Sequence, residues 1–223
     1  AATISGPFDP MLVRWSDQDN RTNWVPSLST TAGEVVITDG TEIVGAVRSK
    51  NAINIWTDNS LWTMSYAGPP FTFNFEQVGS NCGLVGQHGA IDYNGVTYWM
   101  GSDNFYSFAG QVETLNCTVR RYIFENMNQD YTDKVFAGIN SEFQEIIWLY
   151  PSLNSTECDS YVIYSPEEGY WVYGDMIFTT FADREVFGNT ITTGATVSSN
   201  LVYDNEPSGV FTANGETLTS FVE

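Results

Sequence analysis

The chain has 223 residues, 42% hydrophobic and 15% aromatic, which supplies a packed core and excludes global disorder. Eight Lys and Arg stand against 27 Asp and Glu, for a formal net charge of −19. That balance excludes wrapping DNA or RNA by phosphate neutralisation, which needs clustered cations; the one adjacent basic pair is Arg120-Arg121. An acidic surface keeps an aromatic-rich protein soluble, and beside nucleic acid it forms a wall that repels the backbone.

In chain order, short runs of β-branched and aromatic residues predict strands at 42–47, 52–57, 61–66, 96–100, 105–108, 135–139, 145–150, 161–164 and 170–173. Ile43-Val44-Gly45 and Leu84-Val85-Gly86 read as further strand pieces with a small-residue kink. Turn dipeptides punctuate the chain at Asp39-Gly40, Asp58-Asn59, Asn94-Gly95, Asp103-Asn104, Glu168-Gly169 and Asn214-Gly215. Such pairs supply the turn conformations of hairpins, so the sheets are expected to be antiparallel. Helical periodicity occurs once, over 119–129, where Val119, Tyr122, Ile123 and Met127 share a face. Ala1 opens the chain and 218–223 reads as a strand with nothing to close it, so a piece of something longer is expected.

Trp15, Trp56, Trp99 and Trp148 recur at spacings of 41, 43 and 49. Around Trp56 and Trp99 a longer pattern repeats: a strand carrying Trp, an Asp-Asn turn, then an aromatic strand ending in Gly68 or Gly110. Repeats of roughly 40–50 residues with three or four strands match propeller blades, which stack apolar faces around an axis. The fold class expected is all-β: a β-propeller or propeller fragment with about four antiparallel blades and one short helix. It forms a single region over 1–223, with approximate repeats 8–41, 42–82, 83–133 and 134–176 and a remainder 177–223. A β-sandwich pair is the alternative.

Catalytic chemistry has little to build on. Ser-His-Asp or Cys-His catalysis needs a base, and His88 is the one histidine, in Gly86-Gln87-His88-Gly89 without a Gly-x-Ser-x-Gly elbow. Cys82, Cys117 and Cys158 lack Cys-x-x-Cys spacing, so no zinc or redox motif is expected, nor does an odd count suggest a disulfide framework. Residues 16–24 partly match the Asp-box turn of sialidase-type propellers, with Asp19, Thr22 and Trp24 in place and Asn20-Arg21 where Gly is expected. Asp17-Gln18-Asp19-Asn20 alternates oxygen ligands like a calcium loop but lacks the later Gly and Glu; Asx hydrogen bonds explain the same residues. Tyr170-Trp171-Val172-Tyr173 fits either a stacking surface or the two faces of one buried strand. No run of 18 apolar residues spans a membrane as a helix, and no signal peptide, Walker motif or dinucleotide fingerprint occurs. The protein is expected not to be an enzyme, with no catalytic, metal or cofactor-binding residue and no cofactor.

Several segments do resemble a known family. They are Phe8-Asp9-Pro10, Val13-Arg14-Trp15-Ser16-Asp17, Trp24-Val25-Pro26 and Val44-Gly45-Ala46-Val47-Arg48-Ser49-Lys50. To these add Trp56-Thr57-Asp58-Asn59-Ser60-Leu61-Trp62, Gly68-Pro69-Pro70-Phe71, Phe75-Glu76-Gln77-Val78-Gly79, Cys82-Gly83-Leu84-Val85-Gly86 and Tyr98-Trp99-Met100-Gly101. Together they cover about 8–128 and resemble the tail nozzle, or tail-hub, proteins of short-tailed bacteriophages (tail tubular protein B-like, packaged-DNA stabilisation proteins). The resemblance implies a propeller-bearing virion structural protein, assembled with copies of itself into a six-fold ring and contacting the tail adaptor and tail fibre or spike proteins. DNA would pass through the ring during ejection without specific binding, no membrane would be involved, and the location would be the virion tail. The chain is much shorter than full-length members of that family, which implies that it lacks platform or tip portions. The alternative function is a carbohydrate-binding or glycan-cleaving β-propeller, with aromatics and carboxylates gathered at one end of the axis.

Overall fold

The computed structural model describes residues 8–68 and 71–177, and beyond them the backbone of three strands. The chain divides into two compact units, Ala1–Phe181 and Ala182–Glu223. The second unit holds a three-stranded antiparallel sheet of β15 (Leu201–Tyr203), β16 (Phe211–Ala213) and β17 (Glu216–Leu218). Asn214-Gly215 and 219–223 lie outside the described residues.

The named strands of the first unit pair antiparallel, and two short helical segments accompany them among the described residues. A two-stranded ribbon pairs β1 (Leu12–Trp15) with β2 (Gly33–Val36). Three four-stranded meanders follow, each with its strands in sequence order. The first contains β3 (Ile43–Arg48), β4 (Ala52–Thr57), β5 (Ser60–Tyr66) and β6 (Phe73–Ser80). The second contains β7 (Ala90–Tyr93), β8 (Val96–Met100), β9 (Phe105–Phe108) and β10 (Val112–Thr114). The third contains β11 (Phe136–Asn140), β12 (Glu145–Tyr150), β13 (Ser160–Tyr164) and β14 (Trp171–Asp175).

Local chemistry sets these hairpins. Between β7 and β8, Asn94 (φ 55°) and Gly95 (φ 83°) both take the left-handed conformation that a two-residue hairpin turn requires. Between β4 and β5 the hydroxyl of Thr57 accepts the N–H groups of Asn59 (3.1 Å) and Ser60 (2.8 Å), closing the turn by a side chain instead. Asp39-Gly40, by contrast, is no hairpin turn: it joins β2 to β3, which lie in different sheets.

Two further sequence expectations are corrected. The helix over 119–129 is only α1 (Arg120–Glu125), because Asn126 caps it by donating its N–H to the carbonyls of Tyr122 and Ile123. Met127 then bridges Ser152, and a 3-10 helix occupies Gln129–Lys134. Of the expected helix face, Ile123 and Met127 are buried whereas Tyr122 is exposed. Leu84-Val85-Gly86 is not a strand either, but part of a connection between sheets.

That connection, 82–89, is bonded to all three meanders. Cys82 and Leu84 donate N–H groups to Asn59 (2.9 Å) and Thr57 (3.2 Å) of the first. Val85 donates to Met100 (3.0 Å) and Gly89 accepts from Met100 (3.1 Å) in the second, while His88 accepts from Ala137 (2.8 Å) in the third. Across sheet boundaries, β7 lies against both β3 and β11, so the opening strands of successive meanders run side by side.

The core lies between sheets. Met11, Ile37, Ile55 and Met64 fill the space between the ribbon and the first meander, with Trp15, Phe73 and Phe75 packed against them. Trp56, Leu61, Cys82, Leu84, Ala90, Trp99 and Tyr106 join the first meander to the second. Tyr98, Met100, Phe105, Ile146, Trp148, Tyr150 and Val162, with Ile123 of α1, join the second to the third. Adjacent residues such as Trp99 and Met100 therefore serve different interfaces. That is why β8 and β12 read as continuous apolar runs rather than as alternation.

Candidate functional site

The recurrent tryptophans are interface residues. Trp56, Trp99 and Trp148 are fully buried, each on the second strand of its meander, while Trp15 on the ribbon is half-buried. Trp99 donates its indole N–H to the Cys82 carbonyl (2.9 Å) and Trp148 to the Gly89 carbonyl (3.0 Å), so the two indoles clamp both ends of the 82–89 connection. The buried Trp56 Nε1 has no acceptor, nor has the buried Oδ1 of Asn54 two residues earlier a donor. The Nδ2 of that asparagine donates to Thr97 Oγ1 (2.8 Å), a buried polar link from the first meander to the second.

His88 is exposed, and its ring lies 6.1 Å from that of Phe136. Its backbone carbonyl accepts the Ala137 N–H (2.8 Å). Burial pushes the thiols of Cys82, Cys117 and Cys158 up to about 11, so all three, which are free, stay protonated at neutral pH. Trp171 packs on Tyr164 (4.5 Å) and Phe105 (4.8 Å), whereas Tyr173 stays partly exposed beside Tyr122 (4.5 Å). The 170–173 segment thus points both inward and outward. Arg120 reaches the Asp103 carbonyl (3.1 Å) and Arg121 pairs with Glu125 (2.8 Å), so the two adjacent cations serve separate local contacts.

The turn after β1 borders a concave site. Asp17 Oδ1 accepts the Thr31 N–H (2.8 Å), the Thr31 hydroxyl (2.8 Å) and the Gln18 N–H (3.0 Å). Those bonds, the Thr31 N–H foremost, hold the Asp17 carboxyl below its ordinary pKa. The carboxylate is thereby committed to turn donors, as in an Asx-type turn, and Asp19 takes a left-handed φ of 57°. Among the described residues no group of three or more His, Cys, Asp or Glu is placed to hold a metal ion.

Thr31 is the hub of this corner. Its carbonyl also accepts Trp15 Nε1 (2.7 Å) and Thr72 Oγ1 (3.0 Å), tying β1 and the start of β6 to one residue. The Trp15 ring stacks on Phe75 (5.8 Å), meets Phe73 edge-on (5.3 Å) and lies over its cross-strand partner Gly33, where an added Cβ would collide with it. Above this floor opens a pocket of about 500 Å³ whose walls include Trp15, Ser16, Gln18, Thr31, Tyr66 and Phe73. A second, shallower hollow of about 660 Å³ lies between β6 and β10, over Cys82 and Tyr106. Nothing in the spacing of Trp15, Tyr66 and Phe73 announces the pocket; the one signal in sequence is Gly33 opposite a bulky ring. No family model matches the chain, and no curated protein matches it.

Proposed function

We propose that this chain is a blade-built part of a phage tail nozzle, a virion structural subunit of the channel through which DNA leaves the capsid. The observation that carries the reading is the succession of four-stranded meanders whose opening strands run side by side and whose interfaces are filled by Trp56, Trp99 and Trp148. A propeller places its blades in this way around an axis. Support also comes from the resemblance of 8–128 to the nozzle family and from the net charge of −19, which favours sliding of DNA over binding. In this reading copies of the chain meet in a ring, the tail adaptor and fibre or spike proteins are neighbours, and the acidic excess flanks the channel.

Negative-stain imaging and native mass spectrometry of the full-length protein test the proposal. A closed ring, six-fold on the family pattern, with no retention of duplex DNA at physiological salt is the expected result. A protein that stays monomeric at all concentrations overturns it.

A further inference from the structure

We infer that the pocket above Trp15 is a binding site for a neutral saccharide, an inference that does not rest on the nozzle reading. At about 500 Å³ the pocket falls within the range of small-ligand sites, roughly 300–1,000 Å³. A pyranose presents a C–H face and a rim of hydroxyls, so its site needs an aromatic surface flanked by neutral donors and acceptors. Both are here. Trp15 and Phe73 supply the apolar wall, and Tyr66, 71% exposed at the mouth, presents a ring for stacking. Ser16, Gln18 and Tyr66, which also line the space, carry a hydroxyl, an amide and a phenol able to donate to or accept from sugar hydroxyls.

Rigidity and charge sharpen the assignment. Thr31 cross-links the three segments that form the walls, and Trp15 is pinned by its N–H, by Phe73 and Phe75, and by Gly33. A ligand therefore meets a preformed site, and little ordering cost falls on binding. Among the described residues no Lys or Arg lines the pocket and Asp17 is its one carboxylate, and the protein carries −19. Anionic sugars are disfavoured on both counts.

The test is a titration of the full chain by saturation-transfer NMR and tryptophan fluorescence. The probes are methyl glycosides of glucose, galactose, mannose and N-acetylglucosamine, with N-acetylneuraminic acid as the charged comparator. Saturable binding of at least one neutral probe in the millimolar range is expected, with N-acetylneuraminic acid weaker. Tyr66→Ala and Gln18→Ala, both at exposed positions, each weaken it about fivefold to tenfold. Phe71→Ala, at an exposed aromatic outside the pocket walls, leaves it unchanged. The inference is overturned if no neutral probe binds saturably, if binding survives Tyr66→Ala, or if N-acetylneuraminic acid binds more tightly than every neutral probe. Ring assembly is read separately, so either proposal can fail while the other stands.

Discussion

The indoles of Trp56 and Trp99 meet edge to face across two meanders, their centroids 5.4 Å apart, yet only Trp99 has an acceptor for its N–H. Both rings are fully buried, so they contribute similar apolar area and differ in polar satisfaction.

From that difference, Trp99→Phe should destabilise the protein by about 1–2 kcal/mol more than Trp56→Phe. The first change strips the Cys82 carbonyl of its indole donor, whereas the second removes an orphaned donor along with the ring. Urea unfolding of the two variants side by side measures the gap; equal losses would show that the Cys82 bond contributes nothing net.

The Asn54–Thr97 link predicts a coupled pair. Thr97→Val should cost about 1–3 kcal/mol, because it leaves the Asn54 amide with neither group satisfied in a buried interface. Adding Asn54→Leu should return part of that loss, and a double-mutant cycle gives the coupling energy.

Much of this architecture was legible in residues. Strands 52–57, 96–100, 105–108 and 145–150 stand out because apolar runs end at turn dipeptides, and β4, β8, β9 and β12 occupy those spans. Strand β6 escapes notice because Glu76, Gln77 and Gly79 interrupt its aromatics on the exposed edge of a sheet. Leu84-Val85-Gly86 misleads in the opposite direction. Leu84 is buried and Val85 partly so, as in a strand, but their N–H groups are spent on different sheets and not on one ladder. The pocket escaped because its walls come from β1, the 30–31 stretch and the β5–β6 hairpin, and only folding brings them together.

Acid should weaken the protein through Asp58 and Asp159. Burial alone would raise each pKa, but the N–H and hydroxyl of Thr41 on Asp58, and of Ser152 on Asp159, outweigh it and lower both. A depressed folded-state pKa adds stability above the unfolded value, about pH 4, that is lost as pH falls through the folded value. Asp58→Asn should therefore lower stability at pH 7 and flatten the decline below about pH 4, read from urea midpoints across pH.

Thiol chemistry gives a further check. With thiol pKa values raised to about 11, Cys82, Cys117 and Cys158 should alkylate slowly at neutral pH in the native protein and rapidly once unfolded. Iodoacetamide labelling followed by mass spectrometry, with and without urea, reads the difference site by site.

Gly83 and Gly95 should respond oppositely to alanine. A Cβ at Gly83 would collide with the backbone carbonyl of Asp58, whereas at Gly95 it meets nothing within 4 Å and only the positive φ resists it. Gly83→Ala should cost several kcal/mol and Gly95→Ala about 1 kcal/mol, compared by thermal unfolding.

The 82–89 connection bears on how the molecule comes apart. Because its backbone groups are shared among three meanders, releasing any one of them strands carbonyls and amides that belong to the other two. Sheets that could otherwise fray one at a time are thereby bound into a single cooperative unit. Hydrogen exchange at Val85, Met100 and Ala137 should accordingly report one common opening free energy, not three.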